Sequence, residues 1–228
     1  MDDSREEVYG QLLERFREQH ARAPRSPERR ALEAELEARG VDTTDFGIFS
    51  SVAPTTFDAD RAAPILVEWL PRMTHLVDKE VIARSLTGTR TACAPAAAAI
   101  VEEFRQAPLD AETTKWAYGN ALATLAGPEV ADDLVELIRD KRHGIARQML
   151  CDALKRTKHP RAPDVLIEVI DDDDDAGHAI LALRLYGPKS ALPHLQRARP
   201  KLDAVLDRPT ATPFAKRQAK AALERLDA

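Results

Sequence analysis

Five consecutive carboxylates, Asp171 to Asp175, stand immediately before Ala176-Gly177-His178. Such a run can do two kinds of chemistry. It can hold a cation, or it can start a helix, where carboxylate oxygens cap free N–H groups and oppose the helix dipole. A calcium loop needs spaced ligands and a distal Glu in a DxDxDG frame, and that spacing is absent. The run therefore reads as the start of a helix and as a solvated turn. A second set of carboxylates, Glu68, Glu102, Glu136 and Glu168, recurs between apolar neighbours and would form a ladder open to cations or a basic partner. Its place between apolar helix positions puts it instead on a water-facing outer surface.

The six histidines, His20, His75, His143, His159, His178 and His194, form no HExxH, no i,i+4 pair and no ligand spacing with cysteine, so no metal site is expected. Cys93 and Cys151 make no CxxC and read as reduced, buried thiols. GxSxG, Walker A and GxGxxG motifs are missing, and Asp45-Phe46-Gly47 matches the kinase triplet in letters only. No catalytic residue and no cofactor is assigned.

The elements that carry these residues are helical. Hydrophobic residues make up 44% of the chain and aromatics only 5%, with alanine and leucine abundant, a composition suited to packed helices rather than to a sheet. The net charge of -5 argues against general attraction to phosphate backbones. No apolar run approaches the ~20 residues of a bilayer span. The opening MDDSREEVYG is acidic where a secretion signal is basic and then apolar, so cytoplasmic residence is the expectation.

A tetrad of apolar, Glu, any residue, apolar recurs at Val67–Leu70, Val101–Phe104, Val135–Ile138 and Ile167–Ile170, and in degraded form at Leu195–Ala198, with steps of 34, 34, 32 and 28 residues. Periods in the low thirties belong to stacked helix pairs. Within units the apolar positions follow i, i+3, i+4, i+7 spacing, as in Ala131, Leu134, Val135 and Ile138. Second helices are predicted near 79–87, 112–125, 144–156, 177–186 and 214–226. Gly127-Pro128, His159-Pro160 and Gly187-Pro188 punctuate the units. Residues 4–20 and 26–39 read as an N-terminal capping pair. Residues 41–58 read as a loop whose Phe46, Phe49 and Phe57 seal the end of the array, and residues 200–213 as a Pro-rich insertion wrapping the other end.

The stretches LATLAGPEVADDLVELIRD (122–140), LKRTKHPRAPDVLIEVIDD (154–172) and LRLYGPKSALPHLQRA (183–198) resemble HEAT repeats of the short bacterial, PBS-lyase-like kind, over about residues 60–228. The resemblance implies an all-α, right-handed α-α superhelix of about five helix pairs: an N-terminal cap and loop over 1–58, then one continuous repeat array over 59–228. It also implies that second helices line a concave face. Their polar members, Lys79, Arg84, Lys115, Arg147 and Arg184, with Tyr118 and His178 beside them, are the expected partner-binding residues. Between Arg197 and Lys220 a further seven cations face only Asp203 and Asp207.

The function expected is non-enzymatic: a scaffold or adaptor module holding a protein partner. The competing reading is a nucleic-acid binder similar to the HEAT-like alkylpurine DNA glycosylases, which would want a basic groove with aromatics. Trp69 and Trp116 are the only tryptophans, Trp69 in a core stripe and Trp116 opening a small-residue helix. A lyase-like chaperone or a toxin-immunity protein are further alternatives.

Overall fold

The computed structural model describes residues 25–47, 56–89, 94–187 and 190–227. The expected first capping helix, Phe49, Cys93, His20 and Pro188 lie outside them. The described residues form eleven helices and no strand. Helix α1 (Pro27–Ala38) packs on the first of five helix pairs. The pairs are α2 (Ala59–Trp69) with α3 (Leu76–Leu86), α4 (Ala94–Gln106) with α5 (Glu112–Leu125), α6 (Ala131–Arg139) with α7 (Gln148–Thr157), α8 (Ala162–Glu168) with α9 (Ala176–Arg184), and α10 (Ala191–Asp207) with α11 (Pro213–Asp227). The all-α solenoid expected from the repeat is the architecture found.

Local chemistry sets the helix ends. Ser26 accepts from the Arg29 N–H at 2.9 Å ahead of Pro27, and Asp58 accepts from the Arg61 N–H at 3.1 Å. The turn into α7 is a tight 3-10 stretch, Lys141–Arg147, with Gly144 at φ +51, a conformation that costs a glycine little and any other residue more.

The tetrads do what their spacing implies. Val101, Phe104, Val135, Ile138, Ile170, Leu195 and Ala198 are buried, and Val67 and Ile167 are half-buried against the same core. That core runs unbroken from Leu32 to Ala222, so each hairpin buries its apolar stripe against its neighbours. Second helices pack on one another along the whole array, α3 on α5, α5 on α7, α7 on α9 and α9 on α11, while first helices touch their counterparts more sparsely. The layer in closer contact is the inner one, so the array curves around its second helices.

The Glu column is exposed on the outer layer, and arginines from preceding units close it. Arg105 reaches Glu136 at 3.0 Å and Arg139 reaches Glu168 at 2.7 Å. At the N-terminal end Phe46 is buried and stacks on Phe57 with ring centroids 5.4 Å apart, as the loop reading anticipated for these two rings. The insertion expected over 200–213 is corrected. Helix α10 runs straight through Pro200, and only residues 208–212 form the connection. The buried stripe Leu195, Ala198, Leu202 and Val205 continues across the proline, and this burial outweighs the one backbone bond that proline cannot make.

Candidate partner-binding face

Lys79 and Lys115 each stand fourth in their second helix and Arg147 ends the turn leading into α7, and none of them lies open on the concave face. Each crosses into the next unit. Lys79 Nζ meets Glu103 Oε2 of α4 at 2.5 Å. Lys115, fully buried, places Nζ 3.0 Å from Nδ1 of His143 in the following turn and 4.9 Å from the centroid of the Phe104 ring. Burial pulls the Lys115 ammonium below its ordinary range, with Arg142 adding to the effect and Asp140 opposing it. Arg147, 1% exposed, donates to Asp172 Oδ2 at 3.0 Å, to the Ile138 carbonyl at 3.0 Å and to the Gly144 carbonyl at 3.1 Å, and lies 2.7 Å from Asp175 Oδ2. The expected surface stripe is thus corrected to a column of braces between units. A long side chain at this position reaches the joint rather than the groove, burying its stem on the way.

The other expected binding residues divide similarly. Arg84 pairs with Glu80 on its own helix, its Nε bonding at 2.9 Å. Tyr118 is buried with its hydroxyl unbonded, and burial with Glu103 and Glu80 nearby pushes the phenol up. His178 is half-buried, its ring 5.1 Å from that of Phe214, and burial pulls its imidazole down. Arg184 bonds Gln218 of α11, and its own carbonyl accepts from Arg225 at 2.6 Å.

The aspartate run starts a helix and keeps Asp171 and Asp174 exposed, as expected, and it is also a clamp. Besides Asp172 and Asp175 on Arg147, Asp171 takes Lys201 at 2.5 Å and Asp173 takes Arg208 at 2.9 Å. The basic C-terminal stretch is thereby partly spent on the run. Asp175 is fully buried and neither oxygen receives a well-directed hydrogen bond. Burial raises its carboxyl to about 7 against the pull of Arg147, and Asp172 and Asp174 push the same way as burial. Burial acts on Asp172 too, but there the Arg147 bond and charge win, and its carboxyl lies below the ordinary value.

Among its exposed residues the inner layer carries three large apolar side chains. Val77 at the start of α3 is 68% exposed, Trp116 in the second turn of α5 39% and Ile145 in the turn into α7 42%. Leu109, 49% exposed, lies in the loop leading into α5 and lines a groove of about 440 Å³ with Leu137, Arg105, Asp140, Arg142 and His143. The central helix α5 presents Thr113, Trp116, Asn120 and Ala123 at helical spacing, a strip whose one charge is the exposed Glu112 at its N-terminal end. Charges on either side are satisfied within their own helices: Glu80 by Arg84, and Asp152 by Lys155. Sequence reasoning missed this patch because it looked for charge. The available signal was a large apolar residue standing off the buried stripe of its helix.

Residues 105–184 match the family model of HEAT repeats. Over that stretch the chain carries HEAT repeats. The matched stretch begins at the end of α4 and finishes at the end of α9, and includes both Lys115 and Arg147. No curated protein and no solved structure matches the chain. Among the described residues no helix is long and apolar enough to cross a membrane. HEAT repeats serve in general as protein-interaction and scaffold modules.

Proposed function

We propose that this HEAT-repeat chain is a non-enzymatic binding module that holds a protein partner on its inner layer, with Trp116 as the central anchor between Val77 and Ile145. The observation that carries the reading is the exposed Trp116 on a strip of α5 that holds no charge beyond Glu112, flanked by self-paired ions. Protein interfaces draw most of their energy from a few aromatic and arginine side chains that become fully desolvated in the complex, ringed by near-neutral contacts. A half-exposed tryptophan on a rigid helix has that character, and it costs little conformational entropy to bury.

The competing nucleic-acid reading loses its main support. Lys115 and Arg147 are interior, Lys79 is paired, and a phosphate backbone has no row of open cations to follow along α3, α5 and α7. Chaperone and immunity roles are special cases of protein binding and would use the same strip.

The test is affinity capture from the native cell with wild type, Trp116→Ala and, as an outer-face control, Arg139→Ala. A stoichiometric protein partner retained by wild type and by the control, with affinity reduced about 30-fold or more in Trp116→Ala, supports the reading. Absence of any stoichiometric protein, or equal capture by Trp116→Ala, refutes it. Salt-sensitive binding of duplex DNA would revive the alternative.

A further inference from the structure

The three braces do not end on the same chemistry. Lys79 meets a carboxylate, Glu103, and Arg147 meets two, Asp172 and Asp175. Lys115 meets an imidazole. By the 32-residue step between the Val135 and Ile167 tetrads, His143 holds in its turn the place that Asp175 holds in the next, so one joint of the array is built from a buried cation and a base.

Lysine has only donors to offer while charged, so Nδ1 of His143 must accept and the ring proton belongs on Nε2. His143 is 6% exposed and rests edge-on against Phe104, with centroids 5.1 Å apart. The charged groups around it come from every neighbouring element. Lys115 arrives from α5, Arg105 and Glu136 line the adjoining groove from α4 and α6, and Asp140, Arg142 and Arg147 belong to its own turn. Asp140 is the one carboxylate close to Nε2, at 3.6 Å, and Arg142 already holds it through bonds of 2.6, 2.8 and 3.1 Å. A second proton on this ring would set a cation 3.0 Å from the Lys115 ammonium with no open carboxylate to offset it.

We propose that the joint between α5 and the Lys141–Arg147 turn is a proton-operated hinge, closed while His143 is neutral and loosened when His143 is protonated. Burial and the Lys115 charge both hold the imidazole below its ordinary value, which is the direction this geometry requires. The sign follows by linkage: a histidine kept neutral in the closed joint binds its proton only on opening, so closure weakens as pH falls through the ordinary histidine range. Lys115 directly precedes Trp116, so opening shifts the strip assigned above to the partner. That functional consequence rests on the proposed binding role, and the hinge itself does not.

The experiment uses the full chain without a partner. Amide hydrogen exchange, corrected for intrinsic rates, is compared between residues 107–116 and 141–147 and the end pair α10 and α11, in wild type and His143→Asn. Asparagine keeps an acceptor for Lys115 and cannot take the proton. Below the ordinary value of 6.5 the wild-type opening constant should rise about tenfold per pH unit at the joint. It should rise neither in α10 and α11 nor in the variant. Nitrogen NMR of the imidazoles supplies the second readout, with His143 neutral and protonated on Nε2 near neutral pH and titrating below the ordinary value of 6.5. A His143 that is charged near neutral pH, or an equal acid response in His143→Asn, overturns the proposal. If that variant does not fold, the wild-type titration and its exchange profile decide alone.

Discussion

Replacing Asp175 with asparagine should remove a pH dependence rather than a stabilising contact. The carboxyl is fully buried, its oxygens lack directed hydrogen bonds, and its nearest counter-charge, Arg147, is shared with Asp172. Between them the two aspartates and one guanidinium can comfortably carry one negative charge, and it resides on the better-bonded Asp172. Asp175 accordingly moves from 3.8 to about 7, a rise of about three pK units, or about 4 kcal/mol at roughly 1.36 kcal/mol per unit. For an acid whose folded value is raised, the fold binds the proton more tightly than the unfolded chain. The contribution is therefore whole below 3.8 and is lost as pH rises through about 7. Between about pH 5 and about pH 8 the loss should be about 3 kcal/mol, most of it spent before pH passes about 7. Asparagine keeps the size and suits the start of α9, while Arg147 retains Asp172 and the two carbonyls. Urea unfolding followed by far-UV circular dichroism at several pH values measures the difference. The stability of Asp175→Asn relative to wild type should climb by about 3 kcal/mol from about pH 5 to about pH 8. A flat difference across that range would refute the reasoning, because Asp175 would then be ionised in the fold at no cost.

Two further outcomes follow from close packing and from the two kinds of ion pair. A Cβ at Gly119 would lie 2.7 Å from the Met149 Cβ, so Gly119→Ala must spread α5 from α7 and should lose about 1–3 kcal/mol in urea unfolding despite the better helix former. Met149→Ala keeps the offending Cβ and should not rescue it, and a rescue would show that the contact is not backbone-limited. Arg139→Ala, which breaks a pair exposed by 46% and 53%, should cost less than about 1 kcal/mol, whereas Arg147→Ala strands buried carboxylates and should cost about 3–5 kcal/mol. Similar losses for both would contradict the distinction drawn between outer ladder and inner brace.

The recurring apolar tetrads determined the helix pairs, their number and their stacking, because each helix needs only its own i, i+3, i+4, i+7 stripe to know which side to bury, and that information lies within a dozen residues. The water-facing Glu68, Glu102, Glu136 and Glu168 were legible for the same reason. The continuation of α10 through Pro200 was not, since the local signal of proline points one way and the buried stripe on both sides of it points the other.

The candidate site was the part that sequence misplaced. Lys115 and Arg147 read as surface cations because lysine and arginine are rarely buried unpaired, and the groups that receive them, His143, Asp172 and Asp175, stand 25 to 28 residues further on. Which way a long side chain turns depends on what the next hairpin sets beside it, and only stacking decides that. The same stacking leaves Trp116 at the surface: helical periodicity gives its angle around α5, but whether that angle meets another helix or open solvent is fixed by the curvature of the array.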